Sequence, residues 1–239
     1  MADVVASWTQ QSGFPLVTVS SPDPALLVIA QSRYLSDPAV VLTTNQTWWL
    51  PLSLSVGGSN SANNISSPGN ESVSEKKIHL YLTPAPLVDL VVLLPPNGTS
   101  SIVLPSPLSA GQWYKINLGQ TIPARVLYPA SNLLAIGSSL LQNVYNLPAI
   151  DRSGILSDTF QFVRSGQVNI STALQYALVL QVESDPSVWF VAKTQLLAIT
   201  RILAGAQHPS TASFSQYVGS LMTNQLAGTD NIIQKKKIK

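Results

Sequence analysis

The 239-residue chain is 45% hydrophobic and only 10% charged, with 17 prolines, two histidines and no cysteine. That composition gives it a core to bury and excludes a disulfide framework, a thiolate metal site and a disordered chain. Its formal charge of +2 is unevenly spread: Lys235, Lys236, Lys237 and Lys239 are four of the 13 basic residues, and without them the body carries −2, unlike the basic, aromatic-laced face of a nucleic-acid binder.

At the start, Val4, Val5 and Trp8 are spaced as the closing turns of a helix over 1–12. From Gly13 the punctuation changes to short β-branched runs broken by Pro, Gly, Ser and Asn. Leu16 to Val19 and Leu26 to Gln31 flank Ser21-Pro22-Asp23-Pro24, which predicts strand, turn, strand. Further strands are expected over Trp48–Val56, Lys77–Leu82, Leu87–Leu94, Ile102–Leu104 and Trp113–Leu118. Seven short strands predict an antiparallel β-sandwich domain over 13–120. Gly57 to Ser74, rich in Ser, Asn and Gly, reads as a long loop. Trp48 and Trp49, adjacent in a strand, are expected on opposite faces, one inward and one covering a neighbouring domain.

After about Ala130 the period becomes 3.6, predicting an α-helical array over 121–239. Leu133, Leu134, Ile136, Leu140, Leu141 and Val144 form one stripe. Ile155, Leu156, Thr159, Phe160 and Val163 form a second, with Asp151 expected as its N-cap and Gly166 just past its end. A third runs from Ser171 through Leu174, Ala177 and Leu178. The fourth begins at Asp185-Pro186, Asp as N-cap and Pro as first helical residue, and carries Trp189, Leu196, Ile199 and Leu203. A fifth places Phe214, Tyr217, Val218, Leu221 and Met222 together. No capping element follows, so the array is expected to be truncated, with a basic tail at 235–239. No signal peptide and no roughly 20-residue apolar run appear, so no membrane span is expected.

Chemistry-bearing residues are sparse. Zinc peptidase chemistry of the His-Glu-x-x-His kind needs two imidazoles one helical turn apart and a Glu between them. Here His79 and His208 stand 129 positions apart and neither precedes a glutamate; the three glutamates are Glu71, Glu75 and Glu183. No Gly-x-Ser-x-Gly elbow and no phosphate loop occur. Asp151 and Asp158, seven apart, share a helix face, for which capping and structural roles are expected rather than acid–base work. Catalytic and metal-binding residues are therefore expected to be none. Asn-X-Ser/Thr motifs begin at Asn45, Asn64, Asn70, Asn97 and Asn169, which matter only in a secreted protein.

Several segments, in order, resemble the end of the M1 zinc aminopeptidases. Trp8-Thr9-Gln10-Gln11-Ser12-Gly13-Phe14-Pro15 resembles the family's Trp-Thr-x-Gln-x-Gly-[Tyr/Phe]-Pro stretch, where the last catalytic-domain helix meets the sandwich. Gln31-Ser32-Arg33-Tyr34 and Trp48-Trp49-Leu50-Pro51-Leu52 resemble the strands that follow. Trp113-Tyr114-Lys115-Ile116-Asn117 is similar to the Trp-Val-Lys-Leu-Asn segment of the cytosolic, puromycin-sensitive branch. Pro148-Ala149-Ile150-Asp151-Arg152 through Leu156, Asp158 and Phe160 is similar to the Pro-x-Asp-Arg-x-x-Leu-x-x-Asp-x-Phe opening of the helical domain. One segment departs: where the family has Gly-[Phe/Tyr]-Tyr-Arg-x-x-Tyr, this chain has Ile122-Pro123-Ala124-Arg125-Val126-Leu127-Tyr128, without the two rings.

The resemblance implies a sandwich followed by the start of an ERAP1-like C-terminal domain, supporting a catalytic domain that this chain lacks. Zinc belongs to intact members, which remove N-terminal residues from peptides, and no cofactor is expected in this chain. Peptide is then a partner only of intact relatives, and the charge-poor inter-domain surface is the place for a protein partner. The branch implies a cytoplasmic location, with an extracellular or membrane-associated one as the alternative. The rival reading is a stand-alone, non-catalytic interaction or regulatory module.

Overall fold

The computed structural model of the chain describes residues 2–37, 39–40, 46–58, 90–96 and 98–222. His79, Glu71, Glu75, the strand expected over 77–82, the loop beyond residue 58 and the basic tail lie outside the described residues.

The chain opens with α1 (Ala2–Thr9), which docks on the sandwich through indoles. Trp8 Nε1 donates to the Trp49 carbonyl at 3.1 Å, and the Trp8 ring lies 6.2 Å from that of Trp48. Trp48 is fully buried and Trp49 half-buried, so the pair divides as its alternation suggests, although both precede the strand they were expected to sit in.

Among the described residues seven strands follow: β1 (Pro15–Asp23), β2 (Leu26–Arg33), β3 (Leu50–Gly57), β4 (Leu90–Leu94), β5 (Thr99–Val103), β6 (Trp113–Ile116) and β7 (Arg125–Leu127). They form a four-stranded sheet, β5-β2-β1-β7, and a three-stranded sheet, β4-β3-β6. Inward residues at every second position, Val17 and Val19, Leu27 and Ile29, Leu50, Leu52 and Leu54, join one core with Trp48 and Trp113, as period-2 patterning requires. Two local expectations change. β1 runs on through Ser21-Pro22-Asp23, because a register shift between Ser20 and Asp23 accommodates the extra residues and lets the strand carry a proline. β7, beyond residue 120, pairs parallel to β1, so the first sheet is mixed while the other pairings are antiparallel.

The helical part comprises α2 (Ala130–Gln142), α3 (Ala149–Arg164), α4 (Ile170–Ala177) and α5 (Pro186–Gly205), then a helical stretch over 211–222. Asp185 caps α5 with its carboxylate accepting from the Ser187 N–H, and Pro186 opens the helix. Asn169 caps α4 in the same way through Ser171. Gly166, at φ +73°, follows α3, where a left-handed residue ends a helix. The α3 start differs from expectation. Pro148 occupies the cap position and Asp151 lies within the first turn, turned to a partner described below.

By length and composition α5 is apolar enough to cross a bilayer, which the sequence reading had not anticipated. Its buried face, Val188, Ala192, Gln195 and Leu196, packs on α3, while Phe190 and Ile202 stay 73% and 67% exposed.

Candidate functional site

The charged residues that stand out in the sequence converge on the seam between the sheets and α3. β6 is four residues long and every one is buried. A lysine at its third position must therefore take its charge into the interior. Lys115 Nζ lies 3.2 Å from Asp151 Oδ1, both side chains essentially without solvent contact, and also donates to the carbonyls of Ile116 and Asn117 at 2.6 and 2.9 Å. All three ammonium protons thus have acceptors, the condition for a buried cation. Burial pulls the Lys115 ammonium below the usual lysine value, and Asp151 opposes the shift. The Asp151 carboxylate also accepts from the Gly119 N–H at 2.9 Å. Gly119 has φ +71°, a conformation open to glycine at little cost.

Two turns along α3, Asp158 faces the same way. Its Oδ1 accepts from Arg125 at 2.6 Å and its Oδ2 from the Val126 N–H at 2.9 Å, so it holds the start of β7. Burial pushes its carboxyl up to about 6, against the pull of the Val126 N–H and Arg125. Above the guanidinium carbon of Arg125 stand the rings of Tyr34 and Phe14, at 4.9 and 5.9 Å. The seven-residue spacing therefore places two carboxylates on one helix face, each with its own cation from the sandwich.

The remaining charged residue of the α3 motif points elsewhere. Arg152 makes a two-point contact with Glu183, Nε to Oε2 at 2.6 Å and Nη2 to Oε1 at 2.9 Å, and donates from Nη1 to the Val144 and Leu147 carbonyls. Glu183 also accepts from the Ser184 and Asp185 N–H groups. The pair fixes the segment between α4 and α5 against the start of α3.

The outer edge of β6 is sealed by side chains. Asn132 of α2 accepts from the Tyr114 N–H at 3.0 Å and donates to the Tyr114 carbonyl at 2.9 Å. The Tyr128 hydroxyl accepts from the Ile116 N–H at 2.9 Å and donates to the Ile116 carbonyl at 3.2 Å. An amide and a phenol thus take the place of a further strand on an otherwise open edge. Burial raises the Tyr128 phenol well above its usual value.

A model of the ERAP1-like C-terminal domain matches residues 113–236, more than half of the chain. The chain belongs to that family. It is also similar over most of its length to M1 aminopeptidases. Aminopeptidase N of Plutella xylostella is 26% identical over 209 residues, 86% of this chain and 20% of the relative. The thyrotropin-releasing hormone-degrading ectoenzyme of Homo sapiens is 25% identical, over 90% of this chain and 18% of the relative. The puromycin-sensitive aminopeptidase of Caenorhabditis elegans is 25% identical, over 96% and 22%. The chain therefore spans about a fifth of the length of these relatives. The family match begins at Trp113, the first residue of β6, so the seam lies within or beside the matched region.

Zinc does not fit the donors described. Glu183 is fully buried with its carboxylate held by Arg152 and two N–H groups. His208 is exposed, its Nδ1 accepting from the Ser210 N–H at 3.1 Å. Among the described residues no three His, Cys, Asp or Glu side chains come together as a metal would need. Asp151 and Asp158, singled out in the sequence, are both brought to the seam. Their partners Lys115 and Arg125, like Glu183, Asn132 and Tyr128, are not marked as partners by any local pattern in the sequence. One signal was available: a lysine inside a four-residue run of otherwise large apolar and aromatic residues.

Proposed function

We propose that this chain is a non-catalytic support region of an M1-type zinc aminopeptidase: a sandwich and the beginning of a helical wall, carrying no reacting group of its own. The observation behind this reading is the seam. Every charged residue of the α3 motif is engaged in an ion pair, Asp151 and Arg152 in the interior and Asp158 partly buried, and such a group is committed to position rather than to proton transfer or metal binding. In intact relatives, a zinc-activated water would remove the N-terminal residue of a peptide. Here the contribution would be to brace the domain that does so.

Two further parts of the reading rest on likeness. The Trp113-Tyr114-Lys115-Ile116-Asn117 segment favours a cytoplasmic protein of the puromycin-sensitive kind, while the ectoenzyme relative supplies the extracellular alternative. The surface around α1, where Val5 is 57% exposed, is the place where a preceding domain or a protein partner would sit.

The test uses the purified chain. Zinc per protein, measured by elemental mass spectrometry after dialysis, is expected well below stoichiometric, and hydrolysis of alanine p-nitroanilide is expected at the buffer rate. Zinc-dependent turnover that survives further purification would overturn the proposal.

A further inference from the structure

α5 turns one side to α3, and among the described residues the other side is uncovered. Val188, Ala192, Gln195 and Leu196 are buried where the helix packs on α3. The opposite side runs through Phe190, Thr194, Leu197, Arg201 and Ala204, all exposed. Their spacings alternate between four and three residues, a mean period of about 3.5, which is the seam that one helix offers to another. At about 1.5 Å per residue the seam is about 21 Å long. The helices lie in two rows. In one, α4 packs on α2, and the Tyr217 hydroxyl of the 211–222 stretch donates to the Leu174 carbonyl of α4 at 2.6 Å. In the other, α5 packs on α3 and is the last described member. A stacked array closes on a polar outer face, and Phe190 and Leu197 give α5 an apolar one.

Charge identifies what this seam fits. Arg201 stands in it and Lys193 flanks it, both exposed. Neither pairs with a carboxylate among the described residues, and the sequence holds no Asp or Glu from Pro186 to Met222. The complement is therefore a surface that brings carboxylates of its own. A second copy of α5 does not: laid antiparallel about Leu197, Lys193 of each copy would face Arg201 of the other, and laid parallel, Arg201 would face its own counterpart. Residues 223–239 of this chain do not either, since they carry Asp230 against Lys235, Lys236, Lys237 and Lys239. An anionic bilayer would supply the charge but takes a broad apolar face. Here Phe190, Leu197 and Ala204 form a narrow line interrupted by Thr194 and Arg201, with the exposed Ile202 off it. A line with that period is read by another helix.

We propose that the outer seam of α5 docks an acidic amphipathic helix of a protein partner, with aliphatic side chains seated along Phe190, Leu197 and Ala204 and carboxylates opposite Lys193 and Arg201. The inference does not depend on the support role.

The probe is a synthetic helix of three heptads with leucine at its seam positions and glutamate beside them, whose own charges keep it from pairing with itself at neutral pH. Its counterpart carries lysine for glutamate. Titrated into the isotopically labelled chain and followed by two-dimensional NMR, the glutamate helix is expected to give saturable shifts along the outer side of α5. The lysine helix should bind at least about tenfold more weakly. Lys193→Glu with Arg201→Glu, both at exposed positions, is expected to reverse that preference. Phe190→Ser with Leu197→Ser is expected to weaken the glutamate helix at least about tenfold without changing the circular dichroism spectrum. Equal binding of the two helices, a preference that survives the charge reversal, or shifts centred elsewhere would overturn the proposal. So would sedimentation of the chain with phosphatidylserine–phosphatidylcholine vesicles in the absence of helix binding, which would assign the seam to lipid. Dimerisation of the free chain that Phe190→Ser abolishes would assign it to a second copy.

Discussion

Asp151→Asn removes one charge and almost no volume, leaving the Lys115 ammonium in the interior with two carbonyls and only the weaker pull of Asp158 as counter-charge. Breaking a buried pair from one side costs about 3–5 kcal/mol. An upper bound comes from the lysine itself, which can shed its proton. Starting from the ordinary value of 10.5, neutrality at pH 7 means about 3.5 pH units at about 1.36 kcal/mol each, so about 5 kcal/mol. The sign of the pH dependence then follows. In the variant the folded-state lysine is depressed further below 10.5, the unfolded state binds more protons, and stability rises with pH until the unfolded lysine also titrates. Urea unfolding of wild type and variant at pH 7 and pH 9.5 measures both effects. The penalty is expected to be about 3–5 kcal/mol at pH 7 and to shrink by at least about 2 kcal/mol at pH 9.5. A penalty below about 1 kcal/mol at pH 7, of the size found for exposed pairs, or one that does not shrink with pH, would refute the reasoning.

Other substitutions probe the rest of the seam. Glu183→Gln strands the Arg152 guanidinium, which cannot deprotonate; a loss of about 3–5 kcal/mol that persists at pH 9.5, unlike that of Asp151→Asn, is expected from the same urea series. Burial pushes the Asp158 carboxyl from its ordinary 3.8 up to about 6 in the folded state, so its contribution is fully present below the lower value and lost as pH rises through the higher. The stability of wild type relative to Asp158→Asn should therefore fall by up to about 3 kcal/mol between pH 4 and pH 7, and a rising or flat difference would contradict this. At Gly57, a Cβ would run into the Trp113 ring across the strand pair, and Trp113 is fully buried. Gly57→Ala is expected to lower thermal stability by about 1–3 kcal/mol, and an unchanged melting temperature would show that the ring can move.

What the sequence revealed depended on how local the cause was. The Asp185-Pro186 start of α5 and the strands around Val17, Leu27 and Leu52 follow from neighbours a few residues away, and the structure has them. The sequence predicts a cap at Asp151 because an acidic residue near a helix start usually is one. Its partner Lys115 lies 36 positions earlier in β6, and no local signal connects the two. β7 escaped for a related reason. Arg125-Val126-Leu127 is too short to show a period, and its pairing with β1 is set by Asp158 and by a strand more than a hundred residues earlier. Along α3, charged residues are buried on more than one side, so the apolar stripe alone understated how much of that helix is interior. The resemblance reached these residues as a motif, and the structure supplies the reason for it: two carboxylates and one guanidinium, each fixing a different layer.

A support region must behave as one piece, and the seam is what would make it so. The most direct measurement follows urea unfolding by two probes at once: tryptophan fluorescence, dominated by Trp8, Trp48, Trp49 and Trp113 in and beside the sandwich, and far-ultraviolet ellipticity, dominated by the helices. Coincident transitions with the same midpoint and slope are predicted. Two separated transitions, the sandwich and the helices unfolding apart, would contradict the account.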